Sequence, residues 1–238
     1  MSDKELILKY LPKYKHKKAL NKLEKNYPVQ YLIGNTEFVD NLIFINKNVL
    51  IPRFETEYLV EKTLAYIKKY NIKNPNIIDL CTGSGCIAIS LKSKIKCRMT
   101  ALDISKKAIK LAKKNAKYNN VVIDFICNDI NKFNPEEKYD VIISNPPYVI
   151  EDEIIDIKTK YEPQIALFAK DNGLYFYKLI LNKYKNNLKS NYLICFEIGM
   201  TQGDYIAEFA KKLYPDALVS VEKDLTGKDR YVFITNYE

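Results

Sequence analysis

Ser144-Asn145-Pro146-Pro147-Tyr148 follows a short apolar run from Tyr139 to Ile143. The run reads as a buried strand. Two consecutive prolines lack the backbone N–H that pairing requires, so the strand must stop there. A polar asparagine and an aromatic ring are left at the carboxyl end of a strand, the edge where open α/β sheets bind ligands. These residue types suit methylation of a planar nitrogen, in an amide or a base amine. Such a nitrogen is a weak nucleophile because its lone pair is delocalised. A site for it must hold its N–H groups by hydrogen bonds and turn the lone pair toward a methyl donor. The Asn145 oxygen and the Pro146 carbonyl can accept, and Tyr148 can cover the planar face. Read alone, the same residues could serve only to break a strand, since short motifs recur by chance.

A second group of chemistry-bearing residues lies upstream. Asn76 to Leu80 reads as a buried strand, Cys81-Thr82-Gly83-Ser84-Gly85-Cys86 as a Gly-rich turn, and Ile87 to Leu91 as the helix after it. Strand, Gly-turn and helix form the first unit of a doubly wound sheet, and such a turn lets backbone approach a ligand closely. Gly-Lys-Ser/Thr is missing, which excludes a phosphate-binding P-loop, and the full three-glycine dinucleotide spacing is missing too. Arg98 to Leu102 reads as the next strand and ends in Asp103, about 20 residues beyond the turn, where an acid takes a ribose hydroxyl pair. The combination indicates an adenosine-type cofactor, although Asp103 could also cap the following helix with Ser105. Asn128-Asp129-Ile130 follows a third strand, Val121 to Cys127. Asp129 could accept from an adenine amino group with Ile130 against the ring, or the three residues could be a plain turn. Arg53 stands out in a lysine-biased chain, and an arginine there suits planar, bidentate contact with a carboxylate.

The remaining elements must position these residues. The chain has 238 residues, 47% of them hydrophobic and 12% aromatic, enough for one large domain with a small appendage. No apolar run is long enough to span a bilayer, and the first residues lack the apolar core of a signal peptide. Five cysteines, mostly inside apolar runs, read as reduced and buried thiols of a cytoplasmic protein. Cys81 and Cys86 lack partners at zinc-site spacing, so no metal is expected. His16, in a lysine-rich run, reads as solvated. The formal charge of +9 is nearly all lysine and spread along helices, which is weak support for an RNA, DNA or ribosome contact.

In chain order, residues 1–26 carry helical spacing broken by Pro12. Thr36 to Val39 and Leu42 to Ile45 read as a hairpin turning at Asp40-Asn41. A helix is expected from Glu55 or Thr56 through Ile67, and an amphipathic one from Ser105 to Tyr118. Val149 to Lys170 reads as a substrate-side loop or short helices. Then come a helix from Gly173 to Leu188, a strand from Tyr192 to Ile198 and a helix from Thr201 to Leu213. The final strands, Ala217 to Glu222 and Arg230 to Ile234, are close enough to pair antiparallel at the sheet edge.

This order resembles the class I S-adenosylmethionine-dependent methyltransferases, α/β proteins with a Rossmann-like, seven-stranded sheet and one antiparallel strand. More narrowly the chain resembles the HemK/PrmC family, which methylates the glutamine amide of the Gly-Gly-Gln motif in peptide chain release factors. The resemblance covers nearly the whole chain. It rests on Pro28 to Gly34, Leu50-Ile51-Pro52-Arg53-Phe54-Glu55-Thr56-Glu57, Asp79 to Gly85, Asn145 to Tyr148, Glu162-Pro163 and Phe196-Glu197-Ile198-Gly199.

The resemblance implies that Cys81, Thr82, Gly83, Ser84 and Gly85 line the methionine and ribose side of S-adenosylmethionine. Asp103 would hold the ribose, and Asn128, Asp129 and Ile130 would lie near the adenine. Asn145, Pro146, Pro147 and Tyr148 would hold the glutamine amide, with Asn145 also beside the cofactor, and Arg53 and Thr56 would border the cofactor or the substrate entrance. Class I release factors are the implied partner. Some departures stand out. Cys81 replaces the family's first loop glycine, which suggests that the position needs backbone contacts more than a positive φ, and Phe54 replaces the family's usual proline after Arg53. Only 27 residues precede Pro28, so residues 1–50 read as a reduced helical segment with a hairpin, and 51–238 as the methyltransferase domain. Two other functions fit parts of the pattern: an adenine-N6 DNA or RNA methyltransferase, which also uses Asn-Pro-Pro-Tyr, and a non-catalytic relative that binds a partner or RNA.

Overall fold

A computed structural model describes residues 1–150 and 156–238. Helices α1 (Asp3–Tyr10) and α2 (Lys13–Leu23) flank Pro12, which ends one and caps the next. Ser2 and Glu5 close a capping box at the start of α1. A short helix α3 (Val29–Ile33) ends at Gly34, whose φ of 90° is the left-handed stop a glycine supplies. These helices bury a small core of their own around Ile7, Ala19 and Val29. His16 is half-buried, and its Nε2 lies 2.8 Å from the Leu11 carbonyl oxygen. It ties the start of α2 to the end of α1, which corrects the expectation of a solvated side chain.

Strands β1 (Asn35–Phe38) and β2 (Asn41–Phe44) form the hairpin. The turn is Val39-Asp40, at φ 43° and 60°, one residue earlier than expected. Asn41 is withdrawn from the turn because its buried amide donates to the Val39 carbonyl at 2.7 Å and to Ser90 at 3.3 Å. Tertiary contact thus sets the register over turn propensity, at the cost of a β-branched residue in left-handed space.

Helix α4 (Phe54–Lys69) starts earlier than expected, with Arg53 at its N-cap. The main sheet follows: β3 (Asn76–Leu80), α5 (Cys86–Lys94), β4 (Arg98–Asp103), α6 (Lys106–Tyr118), β5 (Asp124–Cys127) and β6 (Tyr139–Ser144). Strand β5 is shorter than the apolar run suggested. Beyond β6 come single 3₁₀ turns at Ile157–Tyr161 and Gln164–Ala166. Residues 151–155 of the expected substrate-side loop lie outside the described residues. Helix α7 (Tyr175–Lys183) ends before Leu188, which already begins β7 (Leu188–Glu197). Helix α8 (Gly203–Leu213), β8 (Leu218–Lys223) and β9 (Asp229–Thr235) complete the chain.

The seven strands run in the order β5-β4-β3-β6-β7-β9-β8. Strand β9 is antiparallel to both neighbours, and the other pairs are parallel. Alternate residues of each strand bury on opposite faces. Ile77, Val141, Ile143 and Cys195 pack on one side with α4, α5, α6 and the hairpin. Ile78, Leu80, Ile142 and Phe196 pack on the other with α7 and α8. Both faces are covered, which is why the strands read as unbroken apolar runs. From β3 the chain winds outward through β4 to β5, then returns to the other side of β3 with β6. Leu80 therefore lies beside both Leu102 and Ser144, and a crevice opens outside these strand ends.

Candidate active site

The crevice is a cavity of about 220 Å³. Strand ends supply its walls: Cys81 to Ser84 after β3, Asp103 to Ser105 after β4, Asn128 to Asn131 after β5, and Asn145 and Pro147 after β6. Asn48 to Leu50, Pro52, Arg53 and Thr56 close one side, and Pro163, Ile165, Ala166 and Phe176 another.

The turn after β3 is built from hydrogen bonds as well as glycines. The Thr82 N–H donates to the Leu102 carbonyl at 2.9 Å, and the Thr82 hydroxyl to Asp79 Oδ2 at 2.5 Å. Burial pushes the Asp79 carboxyl up to about 7. Cys81 has φ 65°, so the position does need the left-handed region, and the cysteine occupies it under strain. This corrects the expectation drawn from the missing glycine. Its thiol is pushed far up by burial and by Asp103 and Asp79. Gly85 does not line the cavity. A Cβ there would stand 3.0 Å from the Ala112 Cβ, so its role is to let α5 pack on α6.

Asp103 accepts from the Gly83 N–H through Oδ2 and from the Ser105 N–H through Oδ1, both at 2.8 Å. Each oxygen keeps lone-pair capacity for one hydroxyl of a vicinal diol. Burial raises this carboxyl, and the two N–H groups oppose the rise. A Cβ on Gly83, at φ 55°, would meet nothing within 4 Å. Open space above a glycine turn, beside an acid with two free lone pairs, fits the ribose end of an adenosine cofactor. Ile130 is buried at the cavity wall, and Asp129 Oδ1 accepts from Asn131, which holds that carboxyl below its usual range.

Asn145 and Pro147 face the cavity, while Pro146 and Tyr148 are not among its walls. The Tyr148 hydroxyl donates to Glu197 Oε1 at 3.4 Å, and its side chain is half-buried. The Asn145 Nδ2 donates to the Thr56 hydroxyl at 3.1 Å, and that hydroxyl donates to Glu197 Oε2 at 2.6 Å. Glu197 is 1% exposed, and burial pushes it up to about 7. Arg53 does meet a carboxylate, donating to Glu162 Oε1 at 2.5 Å, while the Ile51 N–H donates to Glu162 Oε2 at 2.9 Å. Glu162 thereby pins the 3₁₀ turns against the start of α4. The Tyr148 and Val149 N–H groups both donate to the Leu167 carbonyl, which joins the same turns to the Asn-Pro-Pro-Tyr segment. Cys127 is exposed rather than buried. The Asn48 and Val49 wall and Phe176 carried no sequence signal. A signal for Glu197 existed in the lone acid within an apolar strand.

A family model described as "Methyltransferase small domain" matches residues 56–160. A release factor glutamine methyltransferase from Lactococcus lactis is 41% identical, covering 90% of this chain and 79% of its own length. One of the same description from Enterococcus faecalis is 40% identical, with 90% and 78% covered. A solved protein-(glutamine-N5) methyltransferase from Alicyclobacillus acidocaldarius is 25% identical with a TM-score of 0.52, covering 82% of this chain and 99% of that chain. A methyltransferase from Pyrococcus furiosus has a TM-score of 0.60 at 18% identity, covering 81% of this chain and 87% of that chain, and shares the fold. The sheet order and the crevice at its switch point define a class I methyltransferase that uses S-adenosylmethionine. Within that class, the chain belongs to the release factor glutamine methyltransferase family.

Proposed function

We propose that this protein methylates the side-chain amide nitrogen of the glutamine in the Gly-Gly-Gln motif of class I release factors. The observation that carries the reading is Asn145 at the cavity wall with its amide nitrogen committed to Thr56. Its oxygen is then the acceptor for a substrate N–H, and the family resemblance assigns the second acceptor to the main-chain carbonyl of Pro146, which sits between the cavity-facing Asn145 and Pro147. Together they fix both amide hydrogens and aim the nitrogen lone pair, which is worth several kcal/mol of orientation. S-adenosylmethionine supplies an electrophilic methyl group. Asp103 holds its ribose, the Thr82-Gly83-Ser84 backbone lies along its sugar and methionine side, and Asp129 and Ile130 take the adenine. No side chain acts as base before attack, because the alkylated nitrogen sheds its proton afterwards. The apolar Pro147, Pro163 and Ile165 line the same cavity.

Residues 1–50 form the docking side and 51–238 the methyltransferase domain, with the hairpin sharing the core of the latter. Leu8, Tyr10 and Tyr14 are exposed among lysines on α1 and α2, which suits contact with a release factor and transiently with ribosomal RNA. Among the described residues no helix is long and apolar enough to cross a membrane, and the reaction belongs in the cytoplasm, where such partners work. The test is label transfer from methyl-labelled S-adenosylmethionine to a release factor, its Gln→Ala variant and unmethylated DNA. Label that depends on the glutamine supports the reading, and label on DNA or on the Gln→Ala factor refutes it.

A further inference from the structure

Three polar side chains from three separate elements form one continuous chain that runs inward from the cavity wall. Asn145 comes from the loop after β6, Thr56 from the first turn of α4, and Glu197 from the end of β7. Thr56 and Glu197 are both buried, at 3% and 1% exposure. A carboxylate only accepts hydrogen bonds, whereas a threonine hydroxyl has a single proton to give. While Glu197 is ionised, the Thr56 proton goes to it, in a bond whose 2.6 Å length suits a charge-assisted contact. The Thr56 oxygen then offers lone pairs alone to Asn145. The asparagine must present its NH2 group, and its carbonyl oxygen is left for the cavity.

We infer that Thr56 and Glu197 are positioning residues that set which end of the Asn145 carboxamide faces the substrate, and that protonating Glu197 removes this setting. Protonated Glu197 can donate to the Thr56 oxygen. The threonine proton is then free to point at Asn145, which favours the turned amide with its NH2 toward the cavity. A substrate carboxamide would meet donor against donor there. This inference rests on the substrate reading above and adds a control to the same site.

The groups facing Glu197 decide where it titrates. From α4 come Glu55 and Thr56, from the loop after β6 Tyr148, and from β9 Arg230. Tyr177 of α7 donates to the Glu197 main-chain carbonyl at 2.8 Å, while Cys86 of α5 and Tyr231 of β9 stand near enough to feel its charge. Burial outweighs the attraction of Arg230 and the bond from Thr56, and the carboxyl is pushed up to about 7. The ionised form is the active one, so turnover rises with pH through that value and levels above it.

The experiment measures kcat and KM between pH 6 and 9 for wild type, T56S, T56V and E197Q, with cofactor affinity by calorimetry as the control for folding. T56S keeps the hydroxyl and the wild-type profile. T56V loses roughly a hundredfold in kcat, the size of effect a misplaced reacting group produces, with cofactor affinity unchanged and no limb near pH 7. E197Q is neutral and, like the protonated acid, can donate as well as accept, so it loses the setting and works at a lowered, pH-independent kcat with cofactor affinity unchanged. Near-wild-type kcat in T56V, or an intact limb in E197Q, overturns the relay. A second readout does not need a substrate. The Asn145 side-chain amide resonances, assigned by their loss in Asn145→Ala, should titrate near pH 7 in wild type and stay still in E197Q. If wild type methylates no Gly-Gly-Gln substrate, the functional reading fails while this titration still decides the relay. A silent Asn145 amide in wild type overturns it.

Discussion

Replacing Asp103 with asparagine separates cofactor recognition from local structure. The carboxylate accepts one backbone N–H at each oxygen, from Gly83 and Ser105. It has one further acceptor site per oxygen for a ribose hydroxyl. A hydrogen bond to a charged group contributes about 1.5–3 kcal/mol. Removing both, as in Asp103→Ala, should weaken S-adenosylmethionine binding on the order of 10²–10⁴-fold. Alanine also strips the bond that holds Ser105 at the start of α6, so the melting temperature should fall as for a lost cap, about 1 kcal/mol. Asparagine keeps one oxygen for a backbone N–H but turns its NH2 toward the other donor and gives up the charge. Asp103→Asn should therefore lose roughly 10- to 100-fold in affinity, about one hydrogen bond's worth. Because the loop stays half-tied, its melting temperature should drop less than that of the alanine variant. Burial raises the Asp103 carboxyl, so wild-type affinity should also begin to fall on acidification sooner than for an ordinary carboxylate. Isothermal calorimetry with S-adenosylmethionine, alongside thermal melts, reads all three. An Asp103→Asn affinity within twofold of wild type would refute the diol assignment and leave Asp103 a loop-holding residue only.

Asn145→Ala should reduce single-turnover methylation by at least a hundredfold while cofactor affinity changes only a few-fold, since orientation of the acceptor is what it supplies; comparable rates in stopped assays would exclude that role. Cys81→Gly relieves a left-handed β-carbon worth about 1–2 kcal/mol but loosens the unfolded chain by roughly 0.4–1 kcal/mol. It should be neutral to slightly stabilising, whereas Cys81→Val should destabilise, and urea midpoints that rank the two the other way would contradict the backbone assignment. Asp79 and Glu197 are both raised to about 7 from ordinary carboxyl values. The folded state therefore binds their protons more tightly, and stability conferred at low pH is lost as pH rises from about 4 to 7. Asp79→Asn should flatten part of that slope in urea titrations at fixed temperature, and an unchanged slope would place the loss elsewhere.

Much of this protein was determined by local sequence. Alternation of apolar runs with amphipathic helices, and the Gly-turn followed by a strand ending in Asp103, settle a doubly wound sheet, because each face needs covering and each crossover needs length. Pro146 and Pro147 end β6 wherever β6 sits. Pairing of the last two strands follows from the short turn between them. These features depend on neighbours along the chain, so one sequence suffices to read them.

Other features depend on residues that meet only after folding. The hairpin turn fell at Val39-Asp40 because Asn41 was drawn to α5, which no turn preference reports. Cys81 took a positive φ because the strand-to-helix passage demands it and the surrounding packing bears the strain. Gly85 proved to serve helix packing against Ala112. Tyr148 turned toward Glu197, 49 residues away in sequence, and Thr56 joined Asn145 across 89. Burial gives Glu197 its raised carboxyl, and burial is a property of the assembled sheet. The sequence by itself determined which chemical groups stand at the strand ends. The tertiary structure decided which way those groups point, because hydrogen-bond direction is set by partners from distant elements.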